Sequence, residues 1–483
     1  MPSASPQKSP RLTIEQCQKY LEDYVFTLST PKIQDYSQRS WPGTMGLEVE
    51  MLAVKERAGG LPDPISFEAD HVKSIFLELA KQQVWEALFE QVDGKEVLLR
   101  IKTGKQENIS FEPGGQVEFS SQPYLCLASA GKRLREIQDL VQSALQAHGM
   151  SLIQVGMNPW HKLDAIGIQT PKQRYIAMNQ YFSGIHSAMG PRMMRQSCSI
   201  QVCLDFGTDE RMLARRYLAA QLLAPFTAAA FAYSPYVDCK LAEGSLSYRT
   251  KVWRHLDAKR TGFVGLQDLA KSLSRSVCIE HYLNFALSCP IVFVENLGYL
   301  VPTKAITFRE WMKNGILGLF PSLEDFQVHL SLLFPEVRPR GYMELRSIDC
   351  QSRVWQTAPA AFYVGLLYDE ANLNRVLELL LPTLDQTEEL MLLAEGGLMK
   401  SEILKSKLPT LMAWAIEGVG RVPKGFCADD NETVLKAFFH RFTERGRTPA
   451  QDLVDFVRAR GRKYPELEDF SDLEHEWQTI IAS

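Results

Sequence analysis

Four stretches of the chain alternate strictly between apolar and polar positions. In Gly46-Leu47-Glu48-Val49-Glu50-Met51, two glutamates face away from Leu47, Val49 and Met51. In residues 109–123, ISFEPGGQVEFSSQP, the residues Gln116, Glu118 and Ser120 alternate with Val117 and Phe119. In residues 199–205, Ile200, Val202 and Leu204 alternate with small or polar residues, Gln201 and Cys203 among them. In residues 342–347, Glu344 and Arg346 lie opposite Met343 and Leu345. A period of two puts successive side chains on opposite faces of a strand, so each stretch predicts a strand with one apolar and one polar face. Pro113-Gly114-Gly115 is turn chemistry, which lets Glu112 and Glu118 point into one space.

The remaining pattern predicts helices over 13–28, 70–82, 125–148, 209–233, 307–315 and 322–333. The first opens on a capping box, Thr13 with Gln16. Residues 84–91 and 96–102, joined through Asp93-Gly94, predict a hairpin. Further strands are predicted at 45–54, 151–157 and 290–294, and loops at 56–64 and 158–169. Residues 178–194 carry Gly184, Gly190 and Pro191 and fit no regular element. From Pro359 onward the pattern is almost wholly helical, with a break around 445–449. Strands that interleave irregularly with helices, each with one apolar face, argue for an antiparallel sheet and an α+β fold.

Any one of the four strands, taken singly, reads as a sheet with one wet face. Paired in one sheet, their polar faces merge into a surface of five glutamates (Glu48, Glu50, Glu112, Glu118, Glu344) with Gln201 and Arg346. Side chains at i and i+2 of a strand stand ~6.5–7 Å apart. Carboxylates crowded at that spacing repel and take up protons unless a cation neutralises them. Oxygen ligands with no adjacent His or Cys cluster favour a hard ion, Mg²⁺ or Mn²⁺.

The bulk numbers narrow the class. A chain of 483 residues can bury a large core, and length alone would allow two or three domains. Its 53 Lys and Arg against 57 Asp and Glu give a formal charge of −4, without the basic excess of a nucleic-acid partner. The most apolar run, 360–367, is far shorter than the ~20 residues of a membrane span. Residues 1–12, rich in Pro and Ser, read as a disordered tail with no apolar signal-peptide core. Nine scattered cysteines with no CxxC pair suit a reducing cytoplasm. Residues 248–263 are the one stretch dense in cations: Arg249, Lys251, Arg254, Lys259 and Arg260. Alone it reads as a solvated basic loop or an anion-binding segment. His161, His186 and His255 read as structural or surface residues.

In chain order, GLEVE (46–50), EPGGQVEFS (112–120), MRQSCSIQVCLDF (194–206), YRTKVW with DAKRTG (248–262), TFREWMKNG (307–315), FPEVRPRGYMELRSID (334–349) and FYVGLLYDE (362–370) resemble the glutamate–cysteine ligases of plant and proteobacterial type, including the related ligase of ergothioneine pathways. The likeness covers about residues 45–370, and GRTP (446–449) extends it weakly. The resemblance implies a glutamine-synthetase-like fold: a curved antiparallel sheet forming a funnel, with helices packed outside. It implies one catalytic domain over 13–483, with a motif-bearing core at 45–370 and a mainly helical part at 371–483. It also implies use of ATP without a phosphate loop, consistent with the absence of GxxxxGK.

The implied reaction joins L-glutamate, through γ-glutamyl phosphate, to the amine of L-cysteine, giving γ-glutamylcysteine, ADP and phosphate. That is the first step of glutathione or a related thiol pathway. Two alternatives stand beside it: the same chemistry on another amine, and a catalytically inactive binding or regulatory homologue. By motif match, Glu48, Glu50, Glu112, Glu118 and Glu344 hold Mg²⁺ (or Mn²⁺), and Gln201 stands where many relatives carry a metal-binding His. Arg346 and Arg260 are the implied catalytic groups. Arg249 and Arg260, with their planar forks, are implied to bind the glutamate carboxylate and the phosphates. Trp253 walls the pocket or packs in the core. Cys203 replaces the asparagine common in the family and cannot reproduce its amide hydrogen bonds. The implied partners are small molecules alone.

Overall fold

A computed structural model of the protein describes residues 11–29, 43–57, 60–423, 425–427 and 429–482. The strands, in chain order, are β1 (Met45–Lys55), β2 (Asp63–Pro64), β3 (Glu86–Val92), β4 (Lys95–Lys102), β5 (Asn108–Phe111), β6 (Val117–Ser120), β7 (Met150–Ile153), β8 (Ser199–Leu204), β9 (Tyr236–Val237), β10 (Lys240–Leu241), β11 (Thr261–Gly262), β12 (Phe334–Pro335), β13 (Val337–Pro339) and β14 (Met343–Asp349). Ten of them form one open sheet in the order β13-β14-β8-β1-β6-β5-β4-β3, with β2 and β7 paired to the far end of β1. Its pairings are antiparallel, as the one-faced alternation requires. All four predicted polar/apolar strands lie in this sheet, with β1 and β6 at its centre.

The apolar face is closed by helices. Leu47, Val49, Met51, Val117, Phe119, Ile200, Val202, Leu204, Met343 and Leu345 are all buried in a core that runs from Leu12 to Trp477. The helix Glu210–Ala230 packs on β13 and β14, and the helix Leu127–Gln146 packs on β1 and β7. The helix Glu210–Ala230 starts where the Asp209 carboxylate accepts the Met212 N–H at 2.8 Å, an N-cap worth ~1 kcal/mol. Each buried Leu, Val or Phe of this layer stabilises the fold by ~1.5–3 kcal/mol. The helices thus fix one face of the sheet, and the polar rows stay on the other.

Several elements differ from the sequence expectation. The predicted strand at 290–294 contributes only isolated bridges, Pro290 to Thr307 and Val294 to Leu300. Its apolar residues are buried as an irregular segment; burial without ladder partners gives the same composition as a strand. Residues 178–194 belong mostly to two helices, Gln173–Gly184 and Gly190–Gln196; Pro191 sits in the first turn, where a missing N–H costs nothing. The capping box at Thr13 forms as expected, but its helix ends at Tyr20 and continues as a π-helical turn, Leu21–Val25. The basic stretch opens as a helix, Tyr248–Arg254, capped by the Ser247 hydroxyl. The first ten residues of the expected tail lie outside the described residues, whereas Leu12 is buried and Arg11 stacks over Phe320. Among the described residues, no helix is long and apolar enough to cross a membrane.

Candidate active site

The strand registers put the polar residues in rows across one face. Glu48 stands opposite Gln201 on β8 and Ser120 on β6. Glu50 stands opposite Glu118, which in turn faces Ser110. Cys203 stands between Gly46 on β1 and Glu344 on β14, and Arg338 lies beyond Glu344. The turn after β5 brings in Glu112: its N–H donates to the Gln116 carbonyl and its carbonyl accepts from Gly115, both at 2.9 Å. Gly115 has φ +88, and a side chain on Gly114 would meet the Arg195 carbonyl oxygen at 2.3 Å, so the two glycines are needed there. Gln116 anchors the turn by donating to the Ser197 carbonyl at 2.9 Å.

Four of the glutamates are half-buried and carry few partners. Glu118 accepts from the Ser110 and Ser120 hydroxyls at 2.7 and 3.1 Å. Glu50 accepts from the Ser199 hydroxyl at 3.0 Å, and Glu112 from the Tyr175 hydroxyl at 3.3 Å. Burial, then the charges of Glu118 and Glu344, push Glu48 up to about 8. Burial and neighbouring glutamates push Glu112 and Glu118 up to about 7. Burial also raises Glu50, against the pull of Arg249 and Arg346. In each the cost of burying the charge outweighs whatever cation lies near.

At the β13–β14 end the balance reverses. Arg338 grips Glu344 through Nε at 3.0 Å and Nη2 at 2.8 Å, Arg340 reaches it at 3.1 Å, and Arg346 forms a third pair. Burial alone would raise Glu344, but Arg338, Arg346 and Arg340 hold it well below the usual carboxylate range. The expected metal ligand Glu344 is thus already paired in this structure, where arginines occupy both its oxygens. Gln201 is likewise committed, since its Oε1 accepts from Arg346 Nη1 at 2.7 Å. Trp253 serves as a platform, with the Arg249 and Arg346 guanidiniums 5.5 and 5.1 Å from its ring centre. Arg249 also donates to the Arg346 carbonyl at 2.9 Å, beside the cluster.

Arg260 does not join this site. Its guanidinium is fully buried and bonds Asp257 at 2.8 Å, the Leu332 and Pro290 carbonyls at 2.8 and 3.0 Å, and the Tyr181 hydroxyl at 2.8 Å. The expected substrate-binding and catalytic role is corrected to a structural one: these partners tie the basic segment to the loop at 290 and to β12. Cys203 does lie on the polar face; burial, then Glu344 and Glu48, push its thiol well above the ordinary value.

The sequence reading passed over Arg338, Arg340, Lys172 and Tyr175. Arg338 and Arg340 alternate around Pro339 with the same period of two as Glu344 and Arg346, which was the available signal. Lys172 lies in an irregular segment with no pattern. Its ammonium is buried, donates to the Phe111 carbonyl at 3.2 Å and stacks over Tyr175, close to the charge of Glu112.

Among the described residues, no three Asp, Glu, His or Cys side chains are arranged to hold a metal ion as they stand. The donor chemistry of Glu48, Glu50, Glu112 and Glu118 nonetheless fits a hard divalent cation: all oxygen, one face, each raised above all by burial. The face can therefore do two things chemically. One half lacks positive charge, and the other presents guanidinium groups to an anion.

Comparison with known proteins places the chain in a family. The profile of glutamate-cysteine ligase family 2 matches residues 44–472. The chloroplastic glutamate–cysteine ligase of Solanum lycopersicum is 31% identical over 408 residues, 81% of this chain and 72% of that one. Its counterpart in Medicago truncatula is 30% identical over 406 residues, 82% of this chain and 75% of that one. Among solved structures, a glutamate–cysteine ligase of Francisella tularensis in complex with AMP superposes with a TM-score of 0.50 at 11% identity, covering 92% of this chain and 94% of that one. At that identity the structural likeness speaks for the fold alone, a mixed helix and open antiparallel sheet. With its profile matched over most of the length and plant relatives at 30% identity or more, the chain belongs to glutamate-cysteine ligase family 2.

Proposed function

We infer that this chain catalyses the ATP-dependent ligation of glutamate to cysteine, giving γ-glutamylcysteine, ADP and phosphate, the first step of glutathione biosynthesis. The observation that carries the reading onto this molecule is the shared face: Glu48, Glu50, Glu112 and Glu118 on one side, Arg249, Arg338, Arg340 and Arg346 on the other. The first step brings the γ-carboxylate of glutamate to the γ-phosphate of ATP, two groups that repel. A bound Mg²⁺ or Mn²⁺ would supply the charge that joins them, and the four raised glutamates would hold it. Arg346 would meet the transferred phosphate, and Arg249 the glutamate carboxylate. Arg346 is held by Trp253, Glu344 and Gln201, and Arg249 by Trp253 and the Arg346 carbonyl, so both need little reorganisation when charge develops. Attack by the cysteine amine on the acyl phosphate then releases phosphate. We read residues 13–483 as one catalytic domain, and the free thiols as suited to a reducing compartment such as the cytoplasm.

The test is ADP release by the purified protein with Mg²⁺, ATP, glutamate and cysteine, each omitted in turn, with Glu118→Gln as control. ADP that requires both glutamate and an amine, and is lost in the variant, supports the reading; replacing cysteine by alanine or 2-aminobutyrate reads the acceptor. No ADP in any mixture, with ATP still bound, would make it an inactive homologue.

A further inference from the structure

The segment at residues 334–349 ends on Asp349, a carboxylate that the ligase reading leaves without a part. It closes β14, opposite Ser199 on β8. Residues directly opposite in a ladder share a face, and the Ser199 hydroxyl donates to Glu50. Asp349 therefore belongs to the polar face, at the end of β14 remote from Glu344. It is 2% exposed. A side chain on Gly156 would meet its Cγ at 2.5 Å, so backbone packs directly on the carboxyl group.

Unlike the four half-buried glutamates, Asp349 is filled by donors. Its Oδ2 accepts from the Tyr233 N–H at 2.8 Å and the Ser234 hydroxyl at 2.7 Å, and its Oδ1 from the Ser247 hydroxyl at 2.8 Å. Both serines pass the contact on. The Ser234 hydroxyl accepts the Arg249 N–H at 3.2 Å, and the Ser247 hydroxyl accepts the Thr250 N–H at 3.1 Å. These are first-turn N–H groups of the helix Tyr248–Arg254, which have no acceptor within the helix. A hydroxyl has a single hydrogen to donate, and a carboxylate only accepts. Asp349 thus draws both hydroxyl hydrogens to itself and leaves the serine lone pairs to the helix. An amide in its place would point hydrogens at one serine or at the Tyr233 N–H and break the pattern.

Joining two loops does not require a charge, and burying one is costly. Burial raises Asp349, and Arg249 is foremost among the groups that lower it. The three donors occupy the carboxylate, and among the described residues Arg249 forms no ion pair; its guanidinium donates to the Arg346 carbonyl. Asp349 supplies negative charge near Arg249 while tying down its backbone, and leaves the guanidinium without a carboxylate partner.

We propose that Asp349 is a positioning residue: through the Ser234 and Ser247 hydroxyls it sets the first turn of the helix Tyr248–Arg254, and with it the placement of Arg249 beside Arg346. The proposal rests on the ligase reading above for what Arg249 contacts, and adds to it the buried group that keeps Arg249 in place.

The experiment is a double-mutant cycle on kcat/KM for glutamate, read from ADP release. Glutamate-dependent ADP release by wild type comes first; its absence would count against the ligase reading itself. Given that activity, Asp349→Asn and Arg249→Ala should each lower kcat/KM about 10²-fold. The double variant should lie within ~3-fold of Arg249→Ala, because a residue that acts through Arg249 then has nothing left to act on. Mg²⁺ binding is retained in Asp349→Asn, which marks an intact fold. Ser234→Ala removes the relay to the Arg249 N–H and leaves Tyr233 and Ser247 on Asp349. It should cost ~10-fold alone and nothing further beside Arg249→Ala, and it carries the cycle if Asp349→Asn does not fold or loses Mg²⁺ binding. Losses that multiply in the double variants, or wild-type kcat/KM in Asp349→Asn, overturn the proposal.

Discussion

Glu118 and Glu344 are the same residue type on the same face of the same sheet, a few strands apart, and their surroundings oppose one another. Glu118 has two serine hydroxyls and other glutamates near it, and its pKa is pushed up to about 7. Glu344 has three arginines, and its pKa is driven down. One end of the face carries its own counter-charge, and the other leaves negative charge unbalanced. That division suits a reaction joining a carboxylate to a phosphate, because the arginines await an anion and the glutamates a cation.

The comparison can be broken most sharply through stability. Glu344→Gln leaves the buried guanidiniums of Arg338 and Arg346, and the exposed one of Arg340, without their shared carboxylate and should cost about 3–5 kcal/mol, read as a fall in chemical-denaturation midpoint. Glu118→Gln removes a repelling charge and should leave the midpoint unchanged or higher, while lowering kcat about 10²–10³-fold. If both variants lose stability equally, the two ends are not electrostatically distinct.

pH separates the ends in a second way. Glu48, Glu112 and Glu118 have folded-state pKa values of about 7–8 against an ordinary 4.5, so the folded state binds more protons across that interval. Stability associated with them is present below pH 4.5 and is lost as pH rises through 7–8 in metal-free protein. Glu344 is lowered, so its contribution is present above 4.5 and is lost only in acid. Thermal unfolding of metal-free protein should therefore move to lower temperature between pH 5 and pH 8, and Mg²⁺ should remove most of that fall. A flat profile without metal would count against the crowded-glutamate description.

A smaller effect tests the turn that supplies Glu112. Gly114→Ala forces a methyl group against the Arg195 carbonyl and should cost about 1–3 kcal/mol, with a loss of activity below that of Glu118→Gln. Cys203→Asn, restoring the residue common in the family, should change kcat less than any of these, since Cys203 only stands between Gly46 and Glu344 in its row.

Much of this was legible from the chain. The period of two at Glu48 and Glu50, at Glu118 and at Glu344 and Arg346 assigns faces locally, and a sheet only has to pair the strands for the faces to merge. What escaped was partner choice across long sequence distances. That Glu344 is saturated depends on Arg338 and Arg340, whose pairing across the hairpin with β14 their own alternation does not reveal. Arg260 looks like its neighbours in a basic stretch, and only the fold directs it to Asp257 and Tyr181 instead of the glutamates. The buried run at 290–294 has strand composition but lacks a neighbouring edge to pair with over its length. Lys172 sits in an irregular segment, where side-chain direction has no period to read.

The central claim is that Glu48, Glu50, Glu112 and Glu118 form a proton-holding cluster that a divalent cation relieves. Calorimetric titration of the protein with Mg²⁺ at pH 7 in two buffers of different ionisation enthalpy measures the protons released on binding. The account predicts saturable binding with release of about one proton or more, and less in Glu118→Gln, since metal binding must displace the protons these carboxyls hold. Saturable binding with no proton release, or release unchanged in Glu118→Gln, would contradict it.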